Sequence, residues 1–359
     1  MDKQFNVAII GAGNIGALKD EAIDSPKTHK PLTHAHAIYN DDRFKLAIFI
    51  DSDCDKIFNA CDRWEKNKIK PVGSTNISRI DSYIFNVIVI AANTKAHFNI
   101  LMQDIMNLKN QPELIIVEKP FCWTSGEASL ARRFYAESGI KLLVNYNRRY
   151  SESYQKFYEK YIKNQEVQQV VVRYNRGLKH DGCHALDIMN WWFGRCLDIS
   201  LNKSIDPVLD YPEGGRSYSV SMKYEFCPSV VFIPMDYKKC GIFEMDIITK
   251  KNRHIFGNYG EYIINMEITE NKTYGQANSF SWNVEDVCNE KNDYNTDGKY
   301  VVHSAFQTDL HYTLKNLYDK AYECLTSSKQ VDNICTIDDA IRVHNIIEHV
   351  DMLYDKQTW

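Results

Sequence analysis

The sequence predicts an α/β chain: an N-terminal doubly wound parallel sheet, then a C-terminal α+β domain with a large open, mainly antiparallel sheet. Three observations predict it. Residues 1–150 alternate strand-like apolar runs with mixed polar stretches, the pattern of a parallel sheet covered by helices on both faces. Gly11, Gly13 and Gly16 follow the first apolar run directly. Beyond Tyr150 the pattern changes. Tyr218, Val220, Met222, Tyr224 and Phe226 interleave with Ser219, Ser221, Lys223 and Glu225, the period of a strand with one buried and one wet face.

The first domain, residues 1–150, takes its strands from the apolar runs 5–10, 44–50, 87–91, 114–117 and 141–145. Helices are expected at 54–66 and 96–108. The stretch 18–33 is polar and holds two prolines, so it reads as an insertion that interrupts the first helix, which resumes near His34. In the second domain, residues 151–359, a helix is expected at 151–163 and a strand at 167–174. A Trp-rich helix at 182–193 is stopped by Gly194. Strands follow at 229–235, 241–249, 253–257 and 261–268. Two helices close the chain, one at 309–326 and one from Ile337 that Thr336 and Asp339 would cap.

At 359 residues there is room for two domains, and 44% hydrophobic with 25% charged content is a soluble globular composition. A net charge of -4 gives no reason to expect nucleic acid as a partner. The N-terminal apolar run is too short for a signal peptide, and nothing approaches the roughly 20 apolar residues that span a bilayer. Ten cysteines are scattered singly without a C-x-x-C pair, which reads as reduced thiols in a cytoplasmic protein.

The glycine turn, Gly11-Ala12-Gly13-Asn14-Ile15-Gly16, has the form that holds a dinucleotide. Gly11 permits the tight turn, Gly13 the approach of pyrophosphate and Gly16 close helix packing. Backbone N–H groups and the helix dipole bind the phosphates. Asp51, at the end of the second strand, can accept hydrogen bonds from both ribose hydroxyls and repels a 2′-phosphate, so NAD is expected over NADP. It lies 35 residues after Gly16 where about 20 is usual, which the insertion explains. Glu118-Lys119-Pro120 follows the buried run 114–117. It places an ammonium at the carboxyl end of a strand, where open α/β sheets bind ligands and where a lysine can exchange a proton with a substrate hydroxyl. A solvated loop lysine is the alternative.

These motifs resemble the Gfo/Idh/MocA family of glucose-fructose oxidoreductase, inositol dehydrogenase and relatives, over nearly the whole chain. The likeness rests on the glycine turn, Asp51-Ser52-Asp53, the run from Ala91 through Asn93 to His97, Glu118-Lys119-Pro120, Asn145 to Arg149, and His184 to Asp187 leading to Trp191–Gly194. The resemblance implies a Rossmann domain, a second domain whose open sheet often makes the oligomer interface, and hydride exchange between a sugar or polyol carbon and a nicotinamide held between the domains. It implies Lys119 as the catalytic lysine, with a cis bond before Pro120, and His184 as the histidine that hydrogen-bonds the reacting hydroxyl. Ala91, Asn93, His97 and Glu118 would lie along the cofactor, and Asn147, Arg148, His180 and Asp181 along the substrate. Many family members carry Asp four residues before that histidine. This chain has His180 there and Asp181 one place later.

His180 and His184 are spaced i, i+4, but no suitably spaced carboxylate or third histidine accompanies them, so no metal site is expected. His344 and His349 read as surface residues. Trp191, Trp192 and Phe193 read as core or interface. Arg148, Arg149, Arg173, Arg176 and Lys179 are solvated charges or a grip for an anionic substrate such as a nucleotide-linked sugar. Two functions follow. The first is an NAD-dependent dehydrogenase of a sugar, cyclitol or nucleotide sugar, working as a homodimer or homotetramer. The second is a non-catalytic dinucleotide-binding regulator. A pure binder has no chemical need for both Lys119 and His184.

Overall fold

The computed structural model describes residues 4–202, 205–211, 215–270, 278–281 and 306–356. Its first sheet comprises β1 (Phe5–Ile10), β2 (Phe44–Ile50), β3 (Val72–Ser74), β4 (Val87–Ile90), β5 (Leu114–Glu118) and β6 (Lys141–Asn145). The helices are α1 (His34–Tyr39), α2 (Cys54–Arg63), α3 (Thr94–Asn99), α4 (Ser125–Ser138), α5 (Glu152–Phe157), α6 (Cys183–Phe193), α7 (Thr313–Thr326) and α8 (Ile337–Asp355). None of them is long and apolar enough to cross a membrane.

The strand order is β3-β2-β1-β4-β5-β6 and every pair is parallel. This is the doubly wound arrangement, with its topological switch between β1 and β4. β4 and β5 are buried along their whole length, as expected of Val/Ile-rich strands covered on both faces. β3 escaped sequence reading because it is three residues long and largely exposed. So did α4, although Thr124 and Glu127 form a reciprocal capping box at its start and Gly139, at φ 73°, ends it. The helix expected at 96–108 begins earlier, at Thr94, and changes pitch at Ile100 and again at Ile105.

The chain divides into two units, Met1–Ser151 with His311–Asn345, and Glu152–Leu310 with Ile346–Trp359. A sequence boundary at residue 150 therefore assigns 311–345 differently from the packing. The reason is α7. Leu314, Leu317, Tyr318, Ala321 and Cys324 on its inner face share one core with Phe5, Phe44 and Val87. Thr336 and Asp339 cap α8 reciprocally, as expected. His344 is buried rather than on the surface, and its Nε2 accepts from the Cys122 N–H at 3.4 Å.

The insertion is tied down by one buried carboxylate. Asp24 accepts from His36 Nδ1 (2.8 Å), Thr33 Oγ1 (2.8 Å) and Leu32 N (2.9 Å). Burial would raise its pKa, but the His36 and Thr33 bonds outweigh this and hold it below the usual carboxylate range. His34 N then donates to Ile15 O at 3.0 Å and Ala35 N to Gly16 O at 2.9 Å. α1 thus continues the ladder begun at Gly13 as if His34 stood four residues after Ile15. The glycine turn thus opens one helical turn, interrupted by the insertion and resumed at His34 as the sequence suggested.

In the second unit, β7 (Val167–Tyr174), β8 (Cys196–Leu201), β11 (Val220–Tyr224), β12 (Cys227–Pro234), β13 (Phe243–Thr249), β14 (Asn252–Gly257), β15 (Tyr262–Glu270), β16 (Asn278–Ser281) and β17 (Phe306–Gln307) make one sheet, with β9 (Val208–Tyr211) and β10 (Gly215–Ser217) a separate pair. Only β7 and β12 run parallel among the described residues. Alternate residues of β7, β12 and β13 are buried. α5 and α6 cover that face, with Phe157 5.5 Å from Trp192 and 4.8 Å from Phe256 between ring centroids. Phe226 departs from the expected alternation and is 70% exposed, because β11 ends at Tyr224 and Phe226 lies in the turn to β12. The helix expected at 151–163 is α5 followed by a wide π turn over 158–162.

Candidate active site

The switch point between β1 and β4 carries the glycine turn. Gly11 has φ 102°, and a Cβ there would lie 2.5 Å from the Ala91 carbonyl. A Cβ on Gly16 would lie 1.9 Å from Gly11 O. Both positions exclude a side chain for internal reasons. Gly13 is different, since a Cβ there would meet nothing within 4 Å. The space beside Gly13 is open, which suits close approach of a ligand backbone. Asn14 is exposed and Ile15 half-buried along the same turn. Asp51 follows β2 and accepts from Ala12 N (2.8 Å) and Asp53 N (3.0 Å). Its carboxylate braces the glycine turn, a role that sequence reading did not foresee. The residues present fit a dinucleotide: an open cradle at Gly13 and a carboxylate, Asp51, at the end of β2.

Lys119 is half-buried at the end of β5, and the bond to Pro120 is cis, as the resemblance implies. Glu118 before it is buried. Glu118 Oε1 receives His34 Nε2 (3.0 Å) and Asn145 Nδ2 (2.6 Å), while Oε2 accepts the Lys119 N–H at 3.3 Å. Burial would raise the Glu118 pKa, but the bond from His34 and its partial charge, with Asn145 and Lys119, hold it below the usual range. Glu118 is therefore a carboxylate and His34 Nε2 a donor. His34 Nδ1 lies 3.1 Å from the Tyr318 hydroxyl, so a buried chain of groups runs from α7 through α1 to the residue before Lys119. The sequence named Asn145 within a motif and His34 at the start of the resumed helix but gave neither this role, and Tyr318 carried no signal.

His97 is fully buried. Nε2 faces the Ala92 carbonyl at 3.0 Å, and Nδ1 faces Pro120 O at 3.2 Å and Phe121 O at 3.3 Å. Burial lowers its pKa, against the pull of those carbonyls. Its place is between two turns, holding the β4 and β5 ends together, rather than along an accessible surface. Asn93 is exposed and caps α3 through Lys95 N at 3.0 Å; Ala91 is buried against the glycine turn.

In the second unit, His184 is half-buried on the first turn of α6. Asp181, 5% exposed, receives Arg176 Nε (2.8 Å), Arg176 Nη2 (2.9 Å) and His180 Nδ1 (3.0 Å). The five-residue basic cluster is thereby reduced. Arg176 is held by Asp181. Arg149, in the first unit and 4% exposed, bonds Ile334 O at 3.4 Å and pairs with Asp339 at 3.4 Å. Arg148 is also buried, with Nη1 3.5 Å from Asn147 Oδ1. Trp192 and Phe193 are core, and Trp191 stacks on Tyr158 at 5.7 Å.

No family model and no curated protein matches the sequence. Solved structures do match. UDP-N-acetylglucosamine 3-dehydrogenase GnnA from Acidithiobacillus ferrooxidans is 11% identical, with 98% of this chain and 97% of that chain covered and a TM-score of 0.66. An oxidoreductase from Agrobacterium radiobacter, solved with NAD+, L-tartaric acid and magnesium, is 12% identical over 96% and 95% of the chains, with a TM-score of 0.64. The super-repressor mutant of Gal80p from Saccharomyces cerevisiae is 15% identical over 98% and 96%, with a TM-score of 0.65. At these identities the likeness establishes the fold: this chain has the fold of the Gfo/Idh/MocA-type oxidoreductases.

Proposed function

We propose that the protein is an NAD-dependent oxidoreductase that moves a hydride between nicotinamide and a hydroxyl-bearing carbon of a sugar, cyclitol or nucleotide-linked sugar. The observation that carries the reading is Lys119, at the carboxyl end of a buried strand and backed by Glu118, in the same unit as a glycine turn with an open cradle at Gly13. The nicotinamide, when bound, supplies the hydride chemistry. Gly13 and the N–H groups of the turn would take the pyrophosphate, Asp51 the adenosine ribose, and Ala91 and Asn93 the segment beyond. Lys119 takes or returns the proton of the substrate hydroxyl, and His184 hydrogen-bonds the reacting oxygen. Named dehydrogenases and an NAD+ complex among proteins of this fold support the reading.

NAD is preferred to NADP because the ribose position holds a carboxylate where a 2′-phosphate needs a cation. Titration with both cofactors tests this, and tighter NADP binding would overturn it. We assign the second sheet's half-buried face, with Val171, Val231, Ile233 and Ile255, to contact between copies in a homodimer or homotetramer, to be checked by light scattering. The second reading is a dinucleotide-binding regulator, favoured by the Gal80p likeness. The protein with NAD+, offered UDP-N-acetylglucosamine, its free sugar and an uncharged cyclitol, separates the two. Growth of the reduced-nicotinamide absorbance supports the enzyme; cofactor binding without turnover of any probe supports the regulator.

A further inference from the structure

The amino ends of β1 and β2 carry a cleft that the hydride reaction does not use. It opens beside Gln4 and Phe44, whereas the glycine turn lies beyond Ile10, about 20 Å away along β1. Its volume is about 220 Å3, smaller than the roughly 300–1,000 Å3 of drug-sized pockets and enough for one or two fused rings. Ile38, Phe44, Leu46 and Trp64 make its floor. That floor is fixed. Trp64 is 2% exposed, its Nε1 donates to Ala17 O at 2.8 Å, and its ring lies 5.2 Å from His36 and 5.8 Å from Tyr39 between centroids. A wall already held in place loses little freedom when a ligand enters.

The outer wall is Ile69, 61% exposed. It ends a tight turn in which Lys66 N donates to Ile69 O at 3.1 Å and Ile69 N to Lys66 O at 2.9 Å. Asn67 and Lys68 between them take φ of 54° and 64°, positive at both central residues as in the hairpin turns of type I′. This turn belongs to no sheet, and a left-handed lysine costs local stability. What it does is hold an exposed isoleucine beside an aromatic floor. The rim supplies charge. Lys66 Nζ donates to Asp42 Oδ1 and to Tyr39 O, each at 2.7 Å, so Lys66 and Asp42 neutralise one another. Lys45 also lines the rim, is exposed, and forms no ion pair with any described residue. The cleft therefore keeps one surplus positive charge. A flat apolar body against the floor and Ile69, with one carboxylate at Lys45, satisfies both surfaces. A cation would be repelled by Lys45, and a sugar would bury hydroxyls against apolar walls.

We propose that this cleft is a second ligand site, separate from the glycine turn, and that it takes a small aromatic carboxylate. It stands independently of the hydride reaction. Benzoate and indole-3-acetate, with neutral indole for comparison, are titrated into the full chain by ligand-observed NMR, with and without saturating NAD+. Both acids should bind, indole-3-acetate more tightly than indole, and NAD+ should displace neither. Lys45→Gln should raise the Kd of the acids about three- to fivefold, the scale of an exposed ion pair, and leave indole unchanged. Ile69→Ala should raise the Kd of indole-3-acetate and indole alike by about tenfold, as loss of buried methylenes implies. Both side chains are exposed, so the variants should melt as the native protein does. Absence of binding by both acids, displacement by NAD+, or native Kd values in both variants would each overturn the site.

Discussion

In the proposed reaction Lys119 carries the heaviest chemical load of any single residue. Replacing it with Met should cut hydride transfer by about 10²–10⁴-fold, the usual share of a positioned proton-transfer group, and mainly in kcat. NAD affinity and melting temperature should stay nearly unchanged, because the backbone N–H at this position still donates to Glu118 in the variant. Asp51 gives a more mixed expectation. Its carboxylate also accepts from Ala12 N, so Asp51→Ala leaves a turn N–H without that partner. Affinity should fall for NAD and NADP together, with the preference for NAD narrowed; calorimetric titration of both cofactors checks it. Lys119, His184 and the three glycines were legible in the sequence because their chemistry is tied to short motifs. The role of His34, Asn145 and Tyr318 was not, since the network around Glu118 gathers residues from α1, β6 and α7 that no local spacing connects.

At the scale of elements, the glycine turn separates internal sterics from ligand binding. Gly16→Ala places a Cβ 1.9 Å from Gly11 O, so the turn must shift and the protein should melt at a lower temperature. Gly13→Ala meets nothing in the protein, so melting should not change while NAD affinity falls about tenfold or more, as steric crowding of 1–3 kcal/mol implies. Equal effects of the two substitutions on melting would refute the cradle at Gly13. The insertion should prove an integral part of the fold. Asp24→Ala leaves the His36 ring and the Thr33 hydroxyl without this buried acceptor, and an unsatisfied buried polar group costs about 1–3 kcal/mol by chemical denaturation. The interruption of the first helix could be read from the two prolines and the displaced Asp51. That His34 rejoins the ladder at Ile15 could not, because it depends on backbone bonds across the whole insertion.

For the whole molecule, the first unit is completed by chain that lies far along the sequence. A fragment ending at residue 150 lacks α7 and bares the surface that Leu314, Leu317 and Tyr318 cover, each worth about 1.5–3 kcal/mol of burial. Such a fragment should show no cooperative melting transition, and a sharp one would contradict the shared core. The long buried strands of both sheets were legible as apolar runs of the right period, while β3 and β8 were not, and neither was the return of α7, because an amphipathic helix does not say which core its apolar face enters. Acid should weaken the protein predictably. Asp24, Glu118 and Asp181 all have folded pKa values below their unfolded ones, near 4. Their stabilisation is full above that value and is lost as pH falls through the folded values, so melting temperature should drop steadily below about pH 4.

The central claim is that Lys119 is the acid–base group of a nicotinamide-dependent sugar or polyol dehydrogenase. Its most direct test is a single-turnover measurement with NAD+ and the sugar probes, following the reduced-nicotinamide band for the native protein and for Lys119→Met. The account predicts a rise in absorbance for the native chain on at least one probe, and a rate lowered by about 10²–10⁴-fold in a variant that melts normally. A folded Lys119→Met protein that reduces NAD+ at the native rate would contradict it.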